Sequence, residues 1–456
     1  APAAAVDALN IVLVSMDSLR ADHLGIYGYH RPTSPNLDSW AADAVVADNF
    51  ICPGVPTTPV HTSLFTGQIP LTHGLVSHRG GMDLRPGTPW IPGIFSEAGY
   101  MTGAVDNIKR LLPWYTIGFE DYIDPSRRFR HVWSVPMSVI NQRALPWLRE
   151  HAGREPFFLF LHTWDTHTPY LPPLDIRHTF YPGDPCDPNI DTMRPFRRQY
   201  FYERSREWLA QLHQDLGREP ITDAGYIEAL YDACILPLDQ ALANLFAQLE
   251  DLGVADDTLV MLFGDHGEMM GSHDIYFDHH GLYEGNIRPP LLCRWPNGGI
   301  AGGRRVRQII GHHDLAVTSL AAAGLDVPAE MEGRDALPLL RGEAVDDWRT
   351  HTLSAECTWQ AAWCLRTDTH KLIAAQGPSL HNQPAHELYD LVADPGETTN
   401  LYLSEWELAA GLQAQLENEI ALRLEDLGLA EDPVRHENIS LGRRWFDWLA
   451  QRGRNN

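Results

Sequence analysis

The amino-acid sequence predicts an α/β fold, in which a large and mostly parallel sheet lies between helices and a smaller α+β domain follows. Three short apolar runs bounded by polar residues, at positions 11–16, 156–165 and 258–268, are typical of strands buried on both faces. Segments with helical periodicity lie between these runs. Strands that alternate with helices indicate a parallel sheet covered on both sides. The pattern changes after about residue 342, which indicates a second domain.

The longest predicted helix covers residues 228–253, where apolar residues recur at three- and four-residue spacing. It ends at Gly253, a residue type that often closes a helix. Pro237 interrupts the pattern and is expected to kink the helix. The pattern leaves residues 129–225 unassigned, and we interpret the Pro- and Arg-rich stretch at 181–204 as an inserted loop that shapes access to a site.

The C-terminal part has the pattern of an α+β domain with an antiparallel sheet. Residues 351–375 predict two or three short alternating strands, residues 386–401 form a turn-rich segment, and residues 403–428 predict an amphipathic helix. These features predict two domains, 1–345 and 346–456.

Composition and charge exclude several classes of function. The formal net charge of -25 disfavours binding to nucleic acids and to anionic membranes. No apolar run reaches the roughly 18 residues that a membrane span needs. The start of the chain lacks signal-peptide features, and the six cysteines form no CxxC pair, so we expect reduced thiols in a cytoplasmic protein. The basic and aromatic tail at 440–456 is compatible with docking in a homo-oligomer and equally with a solvated or self-packed helix.

Residues of the types that commonly bind metals follow each of the predicted strands. Asp17, Asp165 and the pair Asp265 and His266 stand where the three apolar runs end. Ligand sites of open α/β sheets lie at the carboxyl ends of strands, so these segments are predicted to meet in one crevice. The donors of Asp17, Asp265 and His266 suit Zn or Mn better than Ca. The alternative is that each of these residues is an ordinary helix cap or loop residue. This alternative is weakest for Asp265 and His266, because they are adjacent in the sequence.

The stretch "VPTTPVHTSLFTGQIPLTHG" at 55–74 contains a candidate nucleophile, Thr57. An alcohol is a weak nucleophile at its ordinary pKa, and a divalent metal activates it. Loop threonines are common, so Thr57 is weak evidence by itself.

Several motifs resemble the sulfatase family within the alkaline phosphatase superfamily. "LVSMDSLRADHLGIYGY" is similar to the opening of that family, and "DDTLVMLFGDHGEMMGSH" to its second metal segment. "YEGNIRPPLL" and "HELYDLVADPGETTNL" resemble its later strand and its C-terminal domain. The resemblance implies an alkaline-phosphatase-like large mixed sheet between helices and a small C-terminal domain with an antiparallel sheet.

The nucleophile segment departs from the sulfatase pattern. Sulfatases carry Cys (or Ser)-x-Pro-x-Arg before Leu-x-Thr-Gly, and that Cys or Ser becomes formylglycine. Counting back from Leu64 places Thr57 at the nucleophile and His61 at the arginine, while Cys52 comes five residues too early. Threonine cannot give formylglycine, because its β-carbon bears a methyl group. The stretch instead resembles the threonine loop of nucleotide pyrophosphatase/phosphodiesterases, which attack phosphodiesters.

The number of metal ions, one or two, stays open. Either Asp278 or His279 replaces the lysine with which sulfatases bind sulfate. Resemblance to two-metal relatives implies a second ion held by Asp165, His167 and one of His279 and His280. In one-metal relatives the residue at the His167 position binds the substrate anion instead.

Other polar residues have expected roles for which the sequence gives less support. Resemblance to the phosphodiesterases implies that Asn107 donates a hydrogen bond to a phosphoryl oxygen. His61 is expected to order its loop, His73 to be structural, and His312 and His313 to begin a scaffold helix.

The sequence therefore predicts a metal-dependent hydrolase of phosphate diesters or phosphonate monoesters, which forms a phosphothreonine at Thr57 and acts on a small anionic ester. One alternative is a sulfatase that works without formylglycine. Another is a non-catalytic binding protein on the same scaffold, which is expected to have lost Asp17, Asp265 or His266, and all three are present.

Overall fold

A computed structural model describes residues 9–78, 84–129, 132–377, 383–435 and 439. The described strands are β1 (Asn10–Met16), β2 (Val45–Ile51), β3 (Gly54–Val55), β4 (Met101–Val105), β5 (Asp121–Ile123), β6 (Phe157–Thr163), β7 (Thr258–Gly264), β8 (Met269–Met270), β9 (Tyr276–Asp278), β10 (Leu291–Arg294), β11 (Arg304–Gly311), β12 (His351–Glu356), β13 (Ala362–Thr367), β14 (His370–Ala375) and β15 (His386–Asp390). The described α-helices are α1 (Pro35–Ala41), α2 (Thr57–Thr66), α3 (Pro70–His73), α4 (Ile91–Glu97), α5 (Met137–His151), α6 (Tyr200–Leu216), α7 (Ala224–Asp251), α8 (Glu284–Ile287), α9 (His312–Ala322), α10 (Leu337–Arg341) and α11 (Trp406–Asp426).

The large sheet is mixed and mostly parallel, as predicted. Its strands follow the order β11-β2-β10-β7-β1-β6-β4-β5. Among these strands, β10 alone runs antiparallel to its neighbours. The central strands β7, β1 and β6 are buried along their whole length, which explains why the sequence shows them as continuous apolar runs.

Alternate residues of β1 pack into two separate hydrophobic cores. Val12 and Val14 pack on one face with α5 and α7, whereas Ile11 and Leu13 pack on the other with α2, α4 and α9. Ser15 continues the second set toward α2. The Ser15 hydroxyl therefore contacts α2 at His61 Nε2.

The second sheet has the order β15-β14-β13-β12-β3. Its first four strands are antiparallel, and β3 adds to β12 in parallel through Gly54 and Val55. Because β3 directly precedes Thr57, the small sheet is continuous with the segment that carries the candidate nucleophile. The boundary near residue 345 stays a prediction, and this sheet takes β3 from before it and the strands β12 to β15 from after it.

Three details differ from the sequence prediction. The helix α7 begins four residues earlier than predicted and continues through Pro237. The segment predicted as turn-rich begins with a strand, β15, which pairs with β14 along five residues. His61 lies within α2 and not in a loop. The tail at 440–456 lies outside the described residues.

All six cysteines have free thiols, and five of them are buried. No helix in the described ranges combines the length and the apolar character that a membrane crossing needs.

Candidate active site

The carboxyl ends of four adjacent parallel strands meet at one edge of the large sheet. The strands β7, β1, β6 and β4 are neighbours in that order. The chain leaves β7 at Asp265, β1 at Asp17 and β4 at Asp106. All three carboxylates are buried. This is the crevice that the sequence predicts from the polar residues after each strand.

Thr57 lies in this crevice at the first residue of α2. Its hydroxyl donates a hydrogen bond to Asp17 Oδ2 at 3.2 Å and lies 3.2 Å from His266 Nε2. His266 Nδ1 donates to the carbonyl oxygen of Gly267 at 2.9 Å, so the Nε2 lone pair points toward the threonine. The predicted nucleophile and two predicted ligands are thus in contact.

Cys52 has a structural role. Its thiol is fully buried and donates a hydrogen bond to the carbonyl oxygen of Asp265 at 2.9 Å. Burial, together with the charge of Asp265, raises the pKa of this thiol well above its usual value. A thiol that stays protonated is a poor nucleophile, which agrees with the register that selects Thr57.

Asp17, Asp265 and His266 fit a divalent metal ion. Each offers one ligating atom, and these atoms lie within 4.8 Å of one another. Asp265 Oδ2 is buried and accepts no hydrogen bond, an arrangement that is costly without a cation. Two carboxylates and one imidazole match the preferences of Zn and Mn.

The pKa values of the two carboxyl groups agree with a cation site. Burial, together with the charge of Asp17, raises the pKa of Asp265 to about 6. Burial also opposes ionisation of Asp17, but a hydrogen bond from His162 and the nearby histidines lower its pKa well below the usual value. The two buried carboxylates therefore repel each other when both are ionised, and the positive charge of a divalent ion would offset this repulsion.

His167 and His279 pack together beside His266. Their ring centroids are 4.9 Å apart, and His279 also stacks on His266 at 4.8 Å. Burial opposes a charge on His279, but the Glu268 carboxylate, 3.7 Å from its Nδ1, raises its pKa to about 9. Burial lowers the pKa of His167 to about 4. At neutral pH His279 is therefore the cation and His167 the neutral partner, which suits the binding of an anion.

The second ligand set predicted from the sequence does not assemble. Among the described residues, Asp165, His167 and either His279 or His280 do not form a group within ligating reach. Asp165 turns away because its carboxylate accepts hydrogen bonds from the backbone N–H of Met137 and from the Thr163 hydroxyl. His280 instead stacks on Phe201 at 4.7 Å, and its Nδ1 lies 3.7 Å from the carboxylate of Asp278.

Asn107 is buried beside the site. Its side-chain oxygen accepts a hydrogen bond from Trp164 Nε1 at 3.1 Å. Its predicted contact with a phosphoryl oxygen stays a prediction.

The sequence prediction missed His162 and Asp106. His162 is fully buried in β6, with Nδ1 2.8 Å from Asp106 Oδ1 and Nε2 3.3 Å from Asp17 Oδ2. A signal was present, because His162 interrupts an apolar strand and its register partner on β1, Ser15, does the same. Polar residues paired across two buried strands indicate a shared polar site.

His73 and His312 behave as scaffold residues. His73 is bonded at both ring nitrogens, to the Ser63 hydroxyl at 3.0 Å and to the backbone N–H of Leu75 at 3.1 Å. His312 begins α9 and lies 2.9 Å from the carbonyl oxygen of Gly264.

A cavity of about 250 Å³ opens beside His167 and His279. The helix α6, from the segment that the sequence pattern left unassigned, forms one wall. Arg204 stands on this wall with its guanidinium 4.5 Å from the ring centroid of Trp359. The aromatic side chains that line the cavity are Trp133, Tyr200, Phe201, Trp208, Phe277 and Trp359.

The fold and the site together define an ester hydrolase whose reacting groups lie at the carboxyl ends of parallel strands. A family model described as Sulfatase matches residues 9–325, and one described as N-sulphoglucosamine sulphohydrolase, C-terminal, matches residues 271–425. The chain belongs to the sulfatase family, within the alkaline phosphatase superfamily.

Similar proteins include sulfatases by sequence and phosphonate monoester hydrolases by structure. Human arylsulfatase A is 28% identical, over 93% of this chain and 91% of that protein. A protein solved with its substrate D-glucosamine-2-N,6-O-disulfate superposes with a TM-score of 0.75 at 19% identity, covering 94% of this chain and all of that one (100%). The phosphonate monoester hydrolase of Agrobacterium radiobacter superposes with a TM-score of 0.69 at 20% identity, covering 91% and 96%. The structural similarities show the fold, and membership of the sulfatase family supports the hydrolase class.

Proposed function

We propose that this protein is a metal-dependent hydrolase of phosphate diesters or phosphonate monoesters, with Thr57 as the covalent nucleophile. The observation that carries the proposal is the contact of the Thr57 hydroxyl with Asp17 and His266, at 3.2 Å each, inside a buried carboxylate and imidazole site. A small anionic ester is the proposed substrate.

The chemistry of threonine favours phosphorus over sulfur as the reacting centre. The sulfatases resembled by this sequence use an aldehyde hydrate, which threonine has no route to form. A secondary alcohol attacks phosphorus directly once its proton is removed and its charge is stabilised. The phosphonate monoester hydrolase among the structural neighbours supports the proposal, because that protein shares this fold and is named for an ester of phosphorus.

The proposed reaction begins with in-line attack of the Thr57 oxygen on phosphorus. The hydroxyl proton leaves along its hydrogen bond to Asp17 Oδ2 and passes on to solvent, because the low pKa of Asp17 keeps this carboxylate ionised. The new oxygen–phosphorus bond forms as the bond to the leaving oxygen breaks, and that oxygen departs with the electron pair. His279, protonated at neutral pH, faces the site with a positive charge that stabilises the phosphoryl oxygens.

A divalent ion held by Asp17, Asp265 and His266 would supply Lewis-acid stabilisation of the developing negative charge. Water then attacks phosphorus, the bond from phosphorus to the Thr57 oxygen breaks, and one proton of that water passes to the Thr57 oxygen, which regenerates the hydroxyl. Covalent catalysis of this kind divides one displacement into two easier steps.

The cavity beside the site favours a flat or apolar leaving group. Its aromatic lining offers ring faces for stacking, and Trp359 is buried beneath the guanidinium of Arg204. We therefore infer that aryl esters are better substrates than small alkyl esters.

A sulfatase that works without formylglycine is the second candidate. The similarity to human arylsulfatase A, over 93% of this chain, favours it. The residue at the nucleophile position, Thr57, argues against it.

A substrate panel on the enzyme loaded with Zn²⁺ or Mn²⁺ tests the proposal. The panel compares bis(4-nitrophenyl) phosphate, 4-nitrophenyl phenylphosphonate and 4-nitrophenyl sulfate, which release the same chromophore. We expect kcat/KM for a phosphorus ester to exceed that for the sulfate by at least about tenfold, equivalent to about 1.4 kcal/mol of transition-state stabilisation. A preference for the sulfate ester would support the second candidate and contradict the first.

A further inference from the structure

A second group of ligands lies directly beneath the first. His61, His162 and Asp265 each place one ligating atom within 4.8 Å of the others. Asp265 belongs to both groups, because it also lies within this distance of Asp17 and His266. All three residues of the lower group are fully buried. They come from α2, β6 and the end of β7, so the fold and not local sequence assembles them.

His162 is held as metal-ligating histidines are held. Its Nδ1 lies 2.8 Å from Asp106 Oδ1, which leaves Nε2 to face the carboxylates of the site. Asp106 is itself fixed, because its other oxygen accepts hydrogen bonds from the backbone N–H of Ile108 and the Tyr122 hydroxyl. A carboxylate that orients a histidine in this way is the usual support of a bound metal ion.

His61 supports the same conclusion. Its Nε2 lies 2.7 Å from the Ser15 hydroxyl, while its Nδ1 is buried and has no hydrogen-bond partner. Asp265 Oδ2 is also buried and without a hydrogen bond. Two unpartnered polar atoms in two members of one buried cluster are costly unless a ligand satisfies them.

We propose that His61, His162 and Asp265 form a second metal site, in which Asp265 bridges to the ion held by Asp17 and His266. Two imidazoles and one carboxylate select a borderline cation, with Zn²⁺ as the best match. Paired ions that share a ligand are typically about 4 Å apart. Its ligands differ from those of the second site that the sequence predicted, which were Asp165, His167 and one of His279 and His280.

The competing arrangement is a protonated His162 that pairs with Asp17 and Asp106 as a buried cation. That arrangement satisfies both carboxylates without an ion. It predicts one metal ion per chain, whereas the proposed site predicts two.

Metal counting separates these arrangements without any measurement of turnover. The full chain is stripped with chelator, loaded with excess Zn²⁺, desalted and analysed for zinc per chain, and crystals of the loaded protein are examined at the zinc edge. We expect two ions per chain and two anomalous peaks about 4 Å apart on either side of Asp265. His162→Gln and His61→Gln should each bind one ion.

A matched control and a graded variant sharpen the test. His73→Gln replaces an equally buried histidine that is bonded at both nitrogens, and it should still bind two ions. Asp106→Asn keeps His162 but weakens its orientation, so the dissociation constant of the second Zn²⁺ should rise by about 10- to 100-fold.

A single anomalous peak at Asp17 and His266 in the parent protein would overturn the second site while leaving the proposed function intact. Two ions in both His162→Gln and His61→Gln would overturn it as well. Zinc bound nowhere in the parent protein would contradict both the second site and the proposed function.

Discussion

At the scale of single residues, the proposed mechanism depends on the position of Thr57. Its hydroxyl contacts Asp17 and His266, and the nearby Cys52 is locked in a hydrogen bond to the backbone. In the proposed mechanism His279 supplies positive charge, and either His279 or Asp278 stands where the sulfatases resembled by this sequence have a lysine. The chain has only two lysines, and both lie elsewhere: Lys109 over the ring of Tyr122 and Lys371 beside Glu284.

Replacing Thr57 should separate catalysis from metal binding. Thr57→Ala should lower phosphodiester turnover by about a thousandfold or more, because a nucleophile knockout removes the covalent route. Thr57→Ser should keep measurable activity, since it loses only a methyl group and its rotamer restriction. Zinc bound per chain should be unchanged in both variants. Parent-like turnover in Thr57→Ala would show that another group attacks the ester.

Replacing His279 should test the source of positive charge. His279→Ala should lower kcat/KM for an anionic ester by about 100-fold, because one charged contact to the transition state is lost. His279→Lys should recover most of this loss by restoring a cation at the same place. His280→Ala, next in sequence but stacked on Phe201, is the control and should change kcat/KM much less. Equal losses in His279→Ala and His280→Ala would contradict the assignment.

Sequence reasoning found the residues that follow apolar strands but not those inside them. Asp17, Asp265 and His266 were predictable because each stands just beyond a buried strand. Asp165 has the same local pattern, yet the turn after β6 directs it to the N-terminus of α5. His162 depends on which residue of β1 lies beside it, and that register is a tertiary fact.

At the scale of elements, the N-terminal ends of α9 and α2 position the residues of the site. The helix α9 packs against α2, which presents Thr57 at its first residue. Asp314 secures the start of α9 by accepting hydrogen bonds from the backbone N–H of Gly311 and of Arg334. The same carboxylate pairs with Arg349, so one buried group joins the helix to the chain before β12.

Asp314→Asn should destabilise the fold by about 3 kcal/mol at neutral pH, because it leaves Arg349 without its buried partner. Burial opposes ionisation of Asp314, but the charges of His313 and Arg349 lower its pKa below the usual 3.8. The stabilisation is therefore present above pH 3.8 and is lost as the pH falls through the folded-state pKa. The difference in unfolding free energy between parent and variant should shrink in acid.

Urea denaturation at several pH values measures this difference, with the exposed Asp326→Asn as control. A difference that stays constant down to the acid range would mean that the ionised carboxylate is not what stabilises α9.

The differences between the predicted and the observed element boundaries have simple physical causes. The strand β15 is short and runs into Asp390 and a turn, so turn residues obscure it. The helix α7 continues through Pro237 because packing of its apolar face outweighs one lost hydrogen bond.

At the scale of the whole molecule, the small sheet and the large sheet are joined at the nucleophile. The strand β3 pairs with β12 two residues before Thr57. A buried ion cluster adds a second connection, in which Lys371 on β14 lies 2.9 Å from Glu284 on α8 and 2.7 Å from Glu397. Arg366 on β13 also pairs with Glu284 at 3.1 Å.

This arrangement predicts one cooperative unfolding transition for the described parts of the chain. Lys371→Met should lower the unfolding free energy by about 3–5 kcal/mol, because Glu284 and Glu397 lose a buried partner. The control is Lys109→Met, which changes the other lysine, at a partly exposed position. Circular dichroism and tryptophan fluorescence should shift together in urea. Two separated transitions, with only one affected by Lys371→Met, would mean that the sheets unfold independently.

The central claim is that Thr57 is the covalent nucleophile, and trapping the intermediate tests it most directly. The zinc-loaded protein is mixed with bis(4-nitrophenyl) phosphate, quenched in acid within the first turnovers, digested and analysed by mass spectrometry, with Thr57→Ala treated in parallel. The account predicts a phosphoryl adduct on Thr57 in the parent protein and no adduct on the matching peptide of Thr57→Ala. An adduct on a different residue, or turnover of the diester at the parent rate by Thr57→Ala, would contradict it.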